Sequence, residues 1–107
     1  MSNRKGEHGS VFTGIAWYRR EQWGRLREIS QDADRLELTY DEWLESATRE
    51  LRELRRSGLA IEKVNVDTED LLGWCKANGL RVNGRSRANY VAEKVRLARE
   101  AHHEWRS

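Results

Sequence analysis

The sequence predicts a mostly helical α+β domain, ordered β-α-α-β-α-α, with a small two-stranded sheet packed by four helices. Three observations lead there. Two short runs rich in β-branched or aromatic residues, VFTGIAWY and AIEKVNV, are separated by segments whose apolar residues recur every three or four positions. Threonine, aspartate and serine stand at the starts of those helical segments, and glycine follows their ends. The 107 residues include no proline and no low-complexity tract, so the chain has the size of one domain and no linker to divide it.

Residues 1–10, MSNRKGEHGS, are polar with two glycines and are expected to form a flexible tail, leaving residues 11–107 as the domain. Val11 to Tyr18 reads as the first strand. Val11, Thr13, Ile15 and Trp17 alternate with Phe12, Gly14, Ala16 and Tyr18, and both sides are largely apolar. That pattern predicts an interior strand or one covered on both faces. Gly14 has no side chain to pack and leaves room for a helix to approach.

A first helix is expected from Arg20 to Asp32, with Trp23, Leu26 and Ile29 as its stripe and Ala33 and Leu36 continuing it. A stronger helix is expected from Tyr40 to Ser57. Thr39 and Glu42 have the spacing of a capping box. Tyr40, Trp43, Leu44, Ala47, Leu51 and Leu54 form its apolar stripe, with acids at the start and arginines at the end, as the helix dipole favours. Gly58 is its stop.

Ala60 to Val66 reads as the second strand, packing through Ile61, Val64 and Val66. Asp67 or Thr68 is expected to cap a third helix, Glu69 to Asn78, that turns Leu71, Leu72, Cys75 and Trp74 inward and stops at Asn78-Gly79. After Asn83-Gly84, Ser86 is expected to cap a fourth helix from Arg87 to Glu104. Its stripe is Val91, Val95, Ala98, Ala101 or His102, and Trp105, widened by Tyr90 and Leu97.

Hydrophobic residues are 37% of the chain and charged residues 36%, so the core is small and the surface ionic. The net charge of +2 hides an asymmetry: residues 1–36 carry +2, residues 37–78 carry −4 and residues 79–107 carry +4. A basic end after an acidic middle suits an anionic partner, or internal pairing between the two. No apolar run approaches the ~20 residues that cross a bilayer, and the first ten residues lack the apolar core of a signal peptide. The expected location is cytoplasmic with no membrane role, in keeping with the single cysteine, Cys75.

The residues that carry chemistry are sparse. Cys75 sits among apolar neighbours toward the end of its helix, where a thiol acts as a small hydrophobe. His102 and His103 are adjacent and point about 100° apart on a helix, which does not make the three- or four-ligand set of a zinc site. Glu69-Asp70 and the Asp32/Asp34 pair read as acids serving helix starts. No phosphate loop of the Walker or dinucleotide type occurs. The expectation is a non-enzymatic domain with no catalytic residue, metal or cofactor. Trp23 and Trp43 belong to the core, while Trp17, Trp74 and Trp105 include candidates for a protein interface or for base stacking.

The stretch Asp70 to Val95, DLLGWCKANGLRVNGRSRANYVAEKV, resembles the SAP motif, a helix–extended loop–helix unit that binds DNA. Gly79-Leu80 matches the family's Gly-Leu, Gly84 its second glycine, and Ser86-Arg87 the small-then-basic pair that opens its second helix. Arg85 is an extra residue before that pair, Tyr90 replaces the usual leucine, and Gly73-Trp74 interrupts the first helix. The resemblance implies phosphate contact at this loop. Independently, free N–H groups at a helix start beside Arg85 and Arg87 suit an anion, and Arg81 extends the basic track. The candidate nucleic-acid-binding residues are therefore Arg81, Gly84, Arg85, Ser86, Arg87, Lys94 and Arg96. Near the N-terminus, FTGIAWYRREQW is similar to the opening of small uncharacterised bacterial proteins, which implies no function.

Two functions stay open. One is weak, sequence-tolerant binding of DNA or RNA through the basic C-terminal helix-loop-helix. The other is a protein-interaction module or homodimer with no nucleic-acid role.

Overall fold

The structure, a computed structural model, describes the backbone of residues 13–106 and the side chains of residues 13–101. The expected N-terminal tail and the start of the first strand, Val11 and Phe12, lie outside the described residues. The domain is mostly helical α+β. Strand β1 (Thr13–Trp17) is followed by a 3-10 turn (Arg20–Gln22), helix α1 (Trp23–Ile29), a second 3-10 turn (Ala33–Arg35) and helix α2 (Tyr40–Arg56). Strand β2 (Ile61–Asn65), helix α3 (Thr68–Ala77) and helix α4 (Gly84–Arg106) complete it.

β1 and β2 pair in parallel, with Thr13 opposite Ile61 and Trp17 opposite Asn65. Parallel strands cannot be joined by a hairpin. The chain between them therefore crosses over through α1 and α2, which gives the core its helical cover. Gly14 is where α4 comes closest. A Cβ there would lie 2.7 Å from methyls of Val64 and Val95 and 2.9 Å from one of Val91. The expected close approach of a helix to Gly14 is thus met by α4.

α2 forms as its sequence predicts. The Thr39 Oγ1 accepts from the Glu42 N–H at 3.1 Å, and the Thr39 N–H donates to the Glu42 carboxylate at 3.4 Å. Its face buries Trp43, Ala47 and Leu51. α3 is capped by Asp67, which accepts from the N–H groups of Glu69 and Asp70 at 3.0 Å each. Gly58 and Gly79 follow the two helices with φ of +98° and +67°, the left-handed conformation that glycine adopts without strain.

Two helix boundaries differ from those expected. The first helix does not run from Arg20 to Asp32: it opens as a 3-10 turn, becomes α-helical at Trp23 and ends at Ile29. Its start has no side-chain cap, and at Ser30 the backbone turns extended (φ −86°, ψ 129°). The Gln31 N–H there donates to the Val82 carbonyl at 2.7 Å, a tertiary bond in place of another helical turn. The fourth helix begins at Gly84, not Arg87. Asn83 caps it, its Oδ1 accepting from the Ser86 N–H at 3.0 Å while its own N–H donates to the Ser86 Oγ at 2.9 Å. Ser86 is the reciprocal partner inside the first turn.

The core gathers Tyr18, Trp23, Leu26, Trp43, Ala47, Val66, Leu71, Cys75, Val82, Tyr90 and Val91. Its aromatic centre pairs Trp43 with Trp17 at 5.1 Å, Tyr18 at 5.3 Å, Trp23 at 5.5 Å and Tyr40 at 5.2 Å between ring centroids. Such pairs add about 0.5–1.5 kcal/mol each beyond the area they bury. Two of these rings also hold a backbone carbonyl: Trp23 Nε1–H donates to the Glu37 carbonyl at 3.2 Å and the Tyr40 hydroxyl to the Tyr18 carbonyl at 2.9 Å. Among its described side chains, α4 reaches the hydrophobic core through Tyr90, Val91 and Val95; Leu97, Ala98 and Ala101, expected on its buried stripe, are exposed. Among the described residues, no helix is long and apolar enough to cross a membrane.

Candidate binding surfaces

The basic stretch from Arg81 to Arg87 turns one of its arginines into the protein. Arg87, in the first turn of α4, donates from Nη1 to Asp32 Oδ1 and from Nη2 to Asp32 Oδ2, both at 2.9 Å, and from Nη1 to the Ser30 Oγ at 3.2 Å. Asp32 Oδ2 also accepts from the Gly84 N–H at 3.0 Å. The pair is largely enclosed, with side-chain exposures of 11% for Arg87 and 19% for Asp32. The Arg87 guanidinium holds the Asp32 carboxyl below the ordinary carboxylate range, and burial opposes that shift. A carboxylate of this chain thus occupies the place at the start of α4 where an external anion would bind. Asp32 does serve a helix start, as acids of that segment were expected to, but the helix lies far along the chain.

The other candidates disperse. Ser86 is buried and spent on the cap, where its Oγ also donates to the Arg81 carbonyl at 2.6 Å. Lys94 lies 3.3 Å from Asp70 and over the Tyr90 ring. Arg96 bonds Glu93 at 2.9 Å and Glu100 at 2.8 Å on the exposed side of α4. Arg81 and Arg85 are exposed, and their guanidinium groups have no hydrogen-bonded or ionic partner among the described residues. Helical geometry separates the rest: at about 100° per residue, Arg85 and Arg96 share one face of α4 while Arg87 and Lys94 share the opposite one. The basic residues of α4 therefore form no single track.

Tyr90 anchors α4 to α3. Its hydroxyl donates to Asp70 at 2.5 Å, and its ring meets Trp74 edge-on at 5.6 Å. The Tyr90 hydroxyl and Lys94 hold the Asp70 carboxyl below its usual range. Burial, and then the bond to Asp70, push the Tyr90 phenol up. Cys75 is fully buried. Among the described residues no group of three His, Cys, Asp or Glu side chains is placed to hold a metal ion. The side chains of His102, His103 and Trp105 lie outside the described residues.

A different surface lies beside β1, outside the candidates expected from the sequence. The Thr13 N–H donates to the Ala60 carbonyl and the Trp17 carbonyl accepts from the Val66 N–H, both at 3.0 Å. In a parallel ladder successive residues point their backbone groups to alternate sides. The N–H and C=O groups of Gly14 and Ala16 therefore point away from β2, and none of the four has a partner among the described residues. They open into a groove of about 770 Å³ between α2 and α4. Trp43, Ala47, Ala88 and Ala92 line it, with Glu37 and Glu50 at its walls. The signal was present in the sequence as a strand apolar on both sides, but only the sheet order reveals that one of its edges is open.

No family model matches the chain, and neither a curated protein nor a solved structure matches it at a significant level.

Proposed function

We propose that this chain is a protein-interaction domain. The observation that carries the reading is the open backbone edge of β1, set in a groove between two helices. An unpaired strand edge is a template for a further strand, and proteins that do not use one usually blunt it. The internal use of Arg87 and Ser86 supports the same reading, because it takes from the basic loop the residues best suited to phosphate. The expected setting is the cytoplasm.

Exposed Arg81 and Arg85 favour a second reading, weak binding of DNA or RNA. Two measurements separate them. In hydrogen exchange the Gly14 and Ala16 amides should exchange much faster than that of Val66, which bonds Trp17. Equal protection would mean that the edge is closed, and the interaction reading falls. In a mobility-shift assay at two salt concentrations, no retention of DNA or RNA is expected. A shift that weakens steeply with salt and disappears in Arg81→Glu/Arg85→Glu would establish the nucleic-acid reading instead.

A further inference from the structure

The two strands differ in how their outer edges are defended. β2 places Glu62, Lys63 and Asn65 at exposed positions, and charged side chains discourage pairing with another chain. β1 has no charged residue from Thr13 to Trp17, and glycine and alanine occupy the two positions whose backbone faces the groove. β1 spans five residues, about 17 Å of extended chain. The alanines of α2 and α4 leave space beside it.

The groove also has a sign. The Glu37 and Glu50 carboxylates make no ion pair among the described residues, and the cation that lines the groove, Arg87, is neutralised by Asp32. What faces an occupant is therefore negative. A second copy of this chain would bring the same two glutamates toward these, so charge complementarity favours a different, basic partner.

We propose that the free edge of β1 takes up an extended segment of a partner protein as a third strand, with lysine or arginine side chains facing Glu37 and Glu50. The proposal rests on the protein-interaction reading and adds the chemistry of the partner. Backbone hydrogen bonds to Gly14 and Ala16 supply affinity, and the two carboxylates select the segment.

The test is selection of short random peptides on the full chain, followed by titration of a synthetic enriched peptide read by tryptophan fluorescence, since Trp43 lines the groove. Enriched sequences should be rich in lysine and arginine and poor in proline, aspartate and glutamate. Glu50→Lys, at an exposed position, should weaken binding about tenfold. Methylating alternate peptide nitrogens along one edge should abolish binding, and that change leaves the protein untouched. Peptides that need their backbone N–H groups but show no basic preference and ignore Glu50→Lys would overturn the basic partner while the interaction reading stands. No enrichment, or binding indifferent to methylation, would overturn the open edge itself. A dimer in light scattering that dissociates in Ala16→Pro would assign the edge to a second copy and overturn the proposal.

Discussion

Arg87 grips both oxygens of Asp32 at 2.9 Å across 55 positions of sequence. This pair ties the first turn of α4 to the segment after α1. Breaking one partner leaves the other charge enclosed without compensation, which costs more than an exposed ion pair is worth. Arg87→Ala and Asp32→Ala should each destabilise the fold by about 3 kcal/mol in urea denaturation. The double variant should lose clearly less than the sum, because neither orphan remains.

The same pair makes stability depend on acid. A carboxyl held below its unfolded value of about 3.9 stabilises the fold fully above that pH, and the contribution is lost as pH falls through the folded value. Asp70, lowered by the Tyr90 hydroxyl and Lys94, acts in the same direction. Urea midpoints should be flat from pH 7 to about 5 and fall steeply below about 4. Asp32→Asn should start lower and fall less over that range.

Two glycines should respond oppositely to the same substitution. A methyl at Gly14 would meet Val64, Val91 and Val95, so Gly14→Ala should cost about 1–3 kcal/mol by overpacking. Gly73, inside α3, has nothing within 4 Å of an added Cβ, and Gly73→Ala should gain about 0.5–1 kcal/mol of helix propensity. Thermal melts of the two variants, shifting in opposite directions, check this.

The cap of α4 is a third point of control. Asn83→Ala removes the acceptor for the Ser86 N–H and should cost about 1 kcal/mol. Faster hydrogen exchange should accompany it in the first turn of α4. Gln31, whose side chain accepts from Asn83 Nδ2 at 3.1 Å, would lose that bond as well.

The legibility of this fold follows the range of the interactions behind it. The Thr39–Glu42 box and the stops at Gly58 and Gly79 each join residues within a few positions and are legible in the sequence, as is the cap of α3 down to the choice between Asp67 and Thr68, which the structure gives to Asp67. The end of α1 is not legible locally, because it is fixed by a bond from Gln31 to Val82, far along the chain. The start of α4 lies three residues before the expected one, since Asn83 and Ser86 are both good caps. Their reciprocal bonds decide which of the two lies outside the helix.

The basic loop shows the same division. Arg85 and Arg87 are two positions apart and equivalent as letters, yet one faces solvent and the other Asp32. Sequence alone determined the class of the fold, the strand with apolar residues on both sides, and the glycine that admits a helix. Each of those is written in local periodicity and side-chain size. Only the tertiary structure decided which arginine is spent inside the protein and which edge of β1 stays open. Those outcomes depend on pairings between distant segments, whose energies exist only once the chain has closed on itself.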